Sequence, residues 1–421
     1  MPDDAMERTT TVETAPPRAE VETKGVADAD REDCELSVVM PCLDEARTLE
    51  TCIRKARGFL DRVGVDGEIV IGDNGSADGS QEIARRCGAR VIDVPLRGYG
   101  AALYFATLGA RGRYVIMGDS DDSYDFSQLD PFLARLRAGD DLVMGNRFQG
   151  GVQPGAMPWK NRYIGNPLLS GIGRLLFRCP SSDFHCGLRG YSKDAFRRMD
   201  LRTTGMEYAS EMVIKATLLG MKISEVPTTL SPDGRSRPPH LRPWRDGWRH
   251  LVFMLVYSPR WLFLYPGLFL GGLGLFLLAW LAGEEKWIGG LGLGVHTMTY
   301  AAMAVLIGFH SVSFAFLSKI FAIQEGLHPE DPRLNRLFKF VTLEVGVVVG
   351  IVLFALGMAG TLVALRSWVN SGFGNLDPAR TMRLVIPSGL GLTMGIEIIL
   401  VSFFLSILGL RVRRLGQGIS R

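Results

Sequence analysis

The chain has 421 residues, 47 Lys and Arg against 44 Asp and Glu, a net charge of +3 and a hydrophobic fraction of 47%. So small an imbalance excludes wholesale nucleic-acid binding, and the length leaves room for a soluble domain plus a second unit. The six cysteines, Cys34, Cys42, Cys52, Cys87, Cys179 and Cys186, form no C-x-x-C pair and read as reduced thiols. Cys179 and Cys186 flank His185 at a spacing that does not suit zinc.

Residues 1–33 are rich in Thr, Glu, Asp, Ala and Pro without apolar periodicity, the pattern of a disordered tail. The tail lacks the apolar core of a secretion signal, so the domain after it is expected in the cytosol. From Leu36 the texture changes. LSVVMP reads as a buried strand ending at Pro41, and EARTLETCIRKARGFL as an amphipathic helix. EIVIGD is a second strand, and ADGSQEIARRCG a second helix ending at Gly88. VIDVP is a third strand, GAALYFATLGA a third helix and YVIMGD a fourth strand. This alternation predicts an α/β domain with a mainly parallel sheet over residues 34–242, with its active groups at the C-terminal ends of strands. Asp44, Asp73 and Asp119 all fall at or just after such ends.

PWRDGWRHLVFMLVYSPRW mixes Trp, Arg and aliphatic residues and reads as an interfacial helix over residues 243–260. Four apolar segments follow, at about 261–282, 295–321, 341–365 and 384–410, each longer than the roughly 20 residues that span a bilayer. They predict a four-helix transmembrane domain over 261–410. Arg333, Arg336 and Lys339 after the second segment, with the basic tail at 411–421, place both chain ends on the cytoplasmic side; Arg366, Arg380 and Arg383 weaken that asymmetry. Gly267/Gly271 and Gly346/Gly350 permit close helix packing, within the chain or between copies of an oligomer. Glu397 and His310 fall near the middle of the fourth and second segments, which run in the same direction. An ionisable group at that depth needs a partner, and the two are expected to share a hydrogen bond.

VIMGDSDDSYDF places Asp119, Asp121, Asp122 and Asp125 directly after the fourth strand. Like charges so close repel. A solvated loop is one reading, and a divalent cation held by the Asp-Ser-Asp carboxylates is the other. For a nucleotide-diphosphate ligand, Mg²⁺ or Mn²⁺ would bridge phosphate oxygens to Asp119 and Asp121. PCLDE and IGDNGS at the first two strand ends would hold base and ribose, with Asp73 accepting from a hydroxyl or imide N–H. RGYG at 97–100 would form a flexible, basic lip. No G-x-G-x-x-G follows the first strand, which excludes a Rossmann NAD site.

PCLDE, DNGS, RGYGAAL, GDSD, GNRF, DFHCGLRGYS and the EMVIKA helix occur in this order. As an ordered set over about 36–250 they resemble family 2 glycosyltransferases of the GT-A fold, in particular the dolichyl- and polyprenyl-phosphate sugar synthases. The resemblance implies that Pro41, Leu43, Glu45, Ile71 and Asp73 hold the nucleotide. It implies that Asp119 and Asp121, with Ser120 between them, bind nucleotide and metal, and that Arg147 of GNRF meets phosphate. Leu43 stands where the family has an aromatic, Asn74 where it has a second acid, and Ser123 where it often has Gln. Arg235 and Arg242, in a basic loop that does not align cleanly, are candidates for donor or acceptor phosphate.

A lipid phosphate is already an anionic nucleophile at neutral pH and needs positioning and screening rather than a base. Arg147, Lys160, Arg162 and Arg189 are the acceptor-phosphate and leaving-group candidates, with a surface salt bridge the simpler reading for Lys160. Asp183 is a candidate for sugar hydroxyls. Glu211 either joins it or pairs with Lys215 at i,i+4. The expected reaction is inverting hexose transfer from a GDP- or UDP-sugar to polyprenyl phosphate at the cytoplasmic membrane face. A processive polysaccharide synthase would carry Q-x-x-R-W, and the nearest text here is LRPWR. A non-catalytic nucleotide-sugar or lipid-binding membrane protein is the other alternative, and the intact Asp119/Asp121 pair argues against it.

Overall fold

The structure, a computed structural model, describes residues 33–235, 243–338, 340 and 342–409. Arg242, residues 1–32 of the tail and the basic tail at 411–421 lie outside the described residues. The first part of the chain runs β1 Cys34–Cys42, α1 Leu49–Val63, β2 Gly67–Asp73, α2 Ser80–Arg86, β3 Arg90–Asp93, α3 Tyr99–Gly109, β4 Gly112–Met117, α4 Asp130–Arg137, β5 Leu142–Asn146 and α5 Arg147–Gly150. A π-helical turn, Asn161–Gly165, leads into α6 Asn166–Phe177, followed by β6 Arg189–Ser192, α7 Lys193–Met199, α8 Tyr208–Leu218 and β7 Ile223–Pro227.

The strands form one sheet in the order β3-β2-β1-β4-β6-β5-β7. All neighbours are parallel except β6, which is antiparallel to both β4 and β5. Side chains alternate across the pleat, so β1 sends Leu36, Val38 and Met40 into a core with α1 and α4 and Val39 into a second core with α3, α7 and α8. Helices therefore cover both faces, as a mainly parallel sheet requires. The expected first helix starts late. Glu45–Thr48 forms a turn before Leu49, and the Thr48 hydroxyl donates to the Ser120 carbonyl at 2.7 Å instead of capping α1.

The second part runs α9 Pro243–Val256, a π-helical turn Arg260–Leu264, α10 Tyr265–Leu281, a short hairpin of β8 Lys286–Ile288 and β9 Leu291–Leu293, α11 Val295–Gln324, α12 Pro332–Leu337, α13 Leu343–Asn370 and α14 Pro378–Gly409. Among the described residues, four stretches are long and apolar enough to cross a membrane: Arg260–Leu281, Val295–Gln324, Leu343–Asn370 and Pro378–Leu408. The fourth helix begins about two turns before the apolar run at 384. Its extra residues include Arg380, Thr381 and Arg383, and Arg383 donates to the Gly283 carbonyl just after α10.

α10 packs on α11, α13 on α14, and α11 joins the two hairpins through α14. Both glycine pairs are used inside the chain. Gly267 and Gly271 lie against Gly308 of α11, and Gly350 lies against Gly395 and Ile399 of α14. His310 Nε2 lies 3.2 Å from Glu397 Oε2, which is the expected pairing, although both side chains are part-exposed rather than enclosed. Glu397→Ala is expected to destabilise the helix assembly by about 1 kcal/mol, the scale of an interhelical polar contact in membranes. Reversible unfolding in mixed micelles checks this, and an unchanged midpoint would show that the contact carries no stability.

Candidate active site

The loops after β1 and β2 interlock at the C-terminal edge of the sheet. The Asp44 carboxylate accepts from Ala77 N–H at 2.8 Å, Asp44 N–H donates to Ser76 Oγ at 3.0 Å, and the Asp78 carboxylate accepts from Ala46 N–H at 2.8 Å. Asp73 closes its own turn. It accepts from Gly75 N–H at 3.1 Å, Ser76 N–H at 3.2 Å and Gln81 Nε2 at 2.6 Å, mostly on Oδ2, so Oδ1 keeps most of its accepting capacity. Asn74 donates to the Leu96 carbonyl and accepts from Gly98 N–H, both at 2.8 Å. A carboxylate at 74 could only accept, so the amide is what ties down the loop before α3. The expected flexible lip at 97–100 is thus pinned. The Ser120 hydroxyl donates to the Pro41 carbonyl at 2.6 Å and braces β1 against the acidic loop. Leu43 is half-buried beside this joint, whereas Ile71 puts its side chain into the core and presents no side chain to a ligand.

Asp119 and Asp121 lie just beyond β4. Asp119 Oδ1 accepts from the Tyr99 hydroxyl at 3.0 Å. Asp121 Oδ1 accepts from Ser123 Oγ at 2.5 Å and Ser123 N–H at 3.0 Å, while its Oδ2 meets the Arg235 guanidinium at 3.2 Å. Arg235 also reaches Glu45 at 2.8 Å. The other two aspartates of the cluster are spent locally: Asp122 pairs with Lys55 at 2.7 Å, and Asp125 accepts from Ser127 Oγ at 2.7 Å.

Burial and the charge of Asp121 push the Asp119 carboxyl up to about 6, against the pull of Arg235 and Arg147. This donor set fits Mg²⁺ or Mn²⁺. It offers two hard oxygen ligands whose mutual repulsion a cation relieves, and the Arg235 guanidinium already stands beside them as a counter-charge. The Arg235 Nε is buried and has no hydrogen-bond partner among the described residues. A raised carboxyl pKa means protonation, and loss of the ligand, as pH falls through about 6. Mn²⁺ affinity is therefore expected to be full above about pH 7 and to weaken roughly tenfold per unit below about 6. Binding titrations across that range check it, and a flat profile would contradict the raised pKa.

Several expected site residues have other work. Asp183 is fully buried and holds Arg147 in a fork, Nε–Oδ2 and Nη2–Oδ1 both at 2.7 Å, with Arg147 N–H at 3.0 Å. Its oxygens are taken, so it does not face a sugar, and Arg147 offers the site its charge rather than a free fork. Arg189 is fully buried and donates only to the Cys186, Phe184 and Ala209 carbonyls. It fixes the turn before β6 and does not reach an acceptor. Glu211, also fully buried, meets Lys215 at 3.1 Å and accepts from Thr203 N–H and Oγ1 at 2.8 and 2.7 Å. Of its two readings, the pairing holds and the sugar contact does not.

Arg162 and Lys160 lie on the π-helical turn and its approach, over the rings of Tyr163 and Trp159 at 5.3 and 5.8 Å. Arg162 also reaches the Val152 carbonyl at 3.4 Å. Trp159, Tyr163, Ile164, Leu168 and Leu175 are exposed along this segment. α9 packs on α6 and exposes Trp248, Val252 and Val256 at i, i+4 and i+8 while burying His250 and Met254. The expected interfacial helix therefore has a second, unforeseen neighbour with the same amphipathic build; the spacing of Trp159, Tyr163 and Leu168 was its signal. Tyr99 was also missed, although a tyrosine between two glycines at a strand-edge loop is an unusual side chain to spend there.

Residues 37–200 match the Glycosyl transferase family 2 family, and residues 316–409 match the Glycosyltransferase family 2 C-terminal transmembrane region. The chain is 37% identical over 383 residues to the low-salt glycan biosynthesis hexosyltransferase Agl6 of Haloferax volcanii, covering 89% of each chain. It is 34% identical over 196 residues to a dolichyl-phosphate hexose transferase of the same organism, covering 46% of this chain and 81% of that one. A solved structure of glucosyl-3-phosphoglycerate synthase from Mycobacterium tuberculosis, in complex with Mn²⁺, uridine-diphosphate and glucosyl-3-phosphoglycerate, matches with a TM-score of 0.43 and 23% identity, over 58% of this chain and 86% of that one. A GT-A-like sheet edge carrying an Asp-x-Asp pair, four apolar helices and a relative matched almost end to end agree: the chain is a membrane-embedded glycosyltransferase of family 2.

Proposed function

We propose that this enzyme transfers a hexose from a GDP- or UDP-sugar to polyprenyl phosphate, with inversion at the anomeric carbon, at the cytoplasmic face of the membrane. The carrying observation is the Asp119/Asp121 pair, with Arg235 joining Asp121 to Glu45 and its buried Nε without a partner among the described residues. Such a site wants one ligand with both phosphate oxygens and a divalent cation, which a nucleotide diphosphate with Mg²⁺ or Mn²⁺ is. When bound, the cation stabilises the diphosphate as a leaving group. Asp119 and Asp121 hold it, Arg235 adds hydrogen bonds to phosphate, and Pro41, Leu43, Glu45, Asp73 and the Ser120 brace shape the nucleotide side.

The acceptor follows from the neighbouring surface. The segment from Trp159 to Leu175 and the outer face of α9 offer aromatic and aliphatic side chains of the kind that lie in a bilayer interface. Arg162 and Lys160 stand among them, where a lipid phosphate would sit. That phosphate attacks without a general base, so cationic positioning is what the protein must supply. The Haloferax relative named as a dolichyl-phosphate hexose transferase supports the same acceptor class.

The test incubates the full-length enzyme with a panel of nucleotide-sugars, polyprenyl phosphate and Mn²⁺, and reads the lipid product by mass. One hexosyl-phosphoryl lipid from one donor is the expected result. Long glycan formed without lipid product would move the reading to a processive synthase. No nucleoside diphosphate released with any lipid acceptor would overturn transfer to lipid.

A further inference from the structure

We propose that Tyr99 is the positioning residue that orients Asp119 for its cation, and that Tyr99 is itself placed from the membrane side of the domain through Glu211. The inference rests on the metal reading above.

The Asp119 carboxylate is fixed by a hydrogen bond at Oδ1 and has the bare backbone of a glycine beside Oδ2. The Tyr99 hydroxyl donates to Oδ1 at 3.0 Å. On the other side Gly187 lies so close that a Cβ there would stand 2.6 Å from Oδ2. Rotation about the Cβ–Cγ bond would break the Tyr99 hydrogen bond, and any side chain at 187 would meet Oδ2. A phenol hydroxyl facing a carboxylate is the donor of the pair. Its proton occupies one lone pair of Oδ1 and leaves the remaining directions for a ligand. A partner of this kind behind a metal-binding carboxylate fixes ligand orientation.

Tyr99 owes its place to the neighbouring loop. Gly98, at φ 140°, packs against the Thr204 carbonyl too closely for any side chain, and Ala101 N–H donates to that carbonyl at 3.0 Å. Thr203 hangs on Glu211 through N–H and Oγ1, and Arg202 N–H donates to the same carboxylate at 3.0 Å. Glu211 also accepts from the Tyr257 hydroxyl at 3.3 Å. Tyr257 lies between α9 and the first membrane helix, with its ring 5.6 Å from that of His328 in the loop after α11. A continuous set of contacts thus runs from the junction of the membrane helices to a cation ligand. Seating of the membrane domain reaches the site by moving Thr204, and with it Tyr99.

The test compares Mn²⁺ binding to purified full-length enzyme by electron paramagnetic resonance, with UDP and with GDP, and measures the Mn²⁺ dependence of transfer. Tyr99→Phe removes only the hydroxyl. It is expected to raise the Mn²⁺ midpoint roughly tenfold, the size of effect seen when such a supporting partner is lost, with the deficit in rate recovered at saturating Mn²⁺. Tyr257→Phe is expected to shift the midpoint in the same direction by less, and to add nothing in the Tyr99→Phe background. An unchanged midpoint in Tyr99→Phe overturns the positioning role. A full additional shift from Tyr257→Phe in the double variant overturns the route through Tyr99. Wild-type enzyme that takes up no Mn²⁺ with either nucleotide overturns the metal reading itself, which is a different failure from either of these.

Discussion

Asp121→Ala is expected to lower hexose transfer by about a thousandfold or more while leaving the protein folded. The variant removes one of the two carboxylates proposed to hold the cation and one of the two anions that hold Arg235. Stability should not suffer in proportion. Asp121 is the leading charge that pushes the Asp119 carboxyl up, so its loss relieves a repulsion. What is lost locally is the acceptor for Ser123 N–H and Oγ, a buried pair of contacts whose loss costs about 1–3 kcal/mol against that relief. Asp125→Ala provides the contrast within the same cluster. Its carboxylate only closes the turn at Ser127, and transfer should be unchanged. Product mass and thermal unfolding, measured together, separate the two cases. Near-normal turnover in Asp121→Ala would remove the pair from the site.

The contrast between Asp121 and Asp125 also shows what the sequence could and could not reveal. Position after an apolar strand marked Asp119 and Asp121, because parallel strands that end together bring their following residues to one edge. β1 and β2 end in register, Cys42 opposite Asp73, and β4 lies on the other side of β1. Nothing local distinguished a free arginine from a spent one. Arg147 and Asp183 are 36 residues apart, and only the fold brings them together. β6 was invisible for a related reason. RGYS has no apolar alternation, yet Arg189 and Tyr191 are both fully buried, since the strand is inserted antiparallel between two others and covered on both faces. The His310–Glu397 contact was legible because helices have a fixed rise, so two residues at similar depth in parallel spans must lie at similar height. α6 carries apolar residues on two faces, Leu169, Ile172, Leu176 and Phe177 on the core and Leu168 and Leu175 outward, so its pattern did not mark which face meets the membrane. Periodicity reports an amphipathic helix equally well whether the apolar side meets a core or a membrane.

The second large effect is on stability. Asp183→Ala is expected to cost about 3–5 kcal/mol in chemical denaturation, because it strands the Arg147 charge in the interior. The Arg147 side chain is 10% exposed and that of Asp183 is 0% exposed, so water cannot take over the lost contacts. Replacing both, as in Arg147→Met with Asp183→Leu, buries no lone charge and should recover most of the loss. Recovery should be incomplete, since the backbone N–H of residue 147 also donates to Asp183 and would remain without an acceptor. The double variant then isolates what Arg147 does for the site. Arg147 is one of two arginines that hold the Asp119 carboxyl down against burial and Asp121. Without it that carboxyl titrates at a higher pH, so the acid limb of Mn²⁺ binding should move upward even in a well-folded protein. A single Asp183→Ala variant with wild-type stability would show that the fork is not what holds GNRF in place. A stable double variant with an unmoved acid limb would show that the Arg147 charge does not reach Asp119.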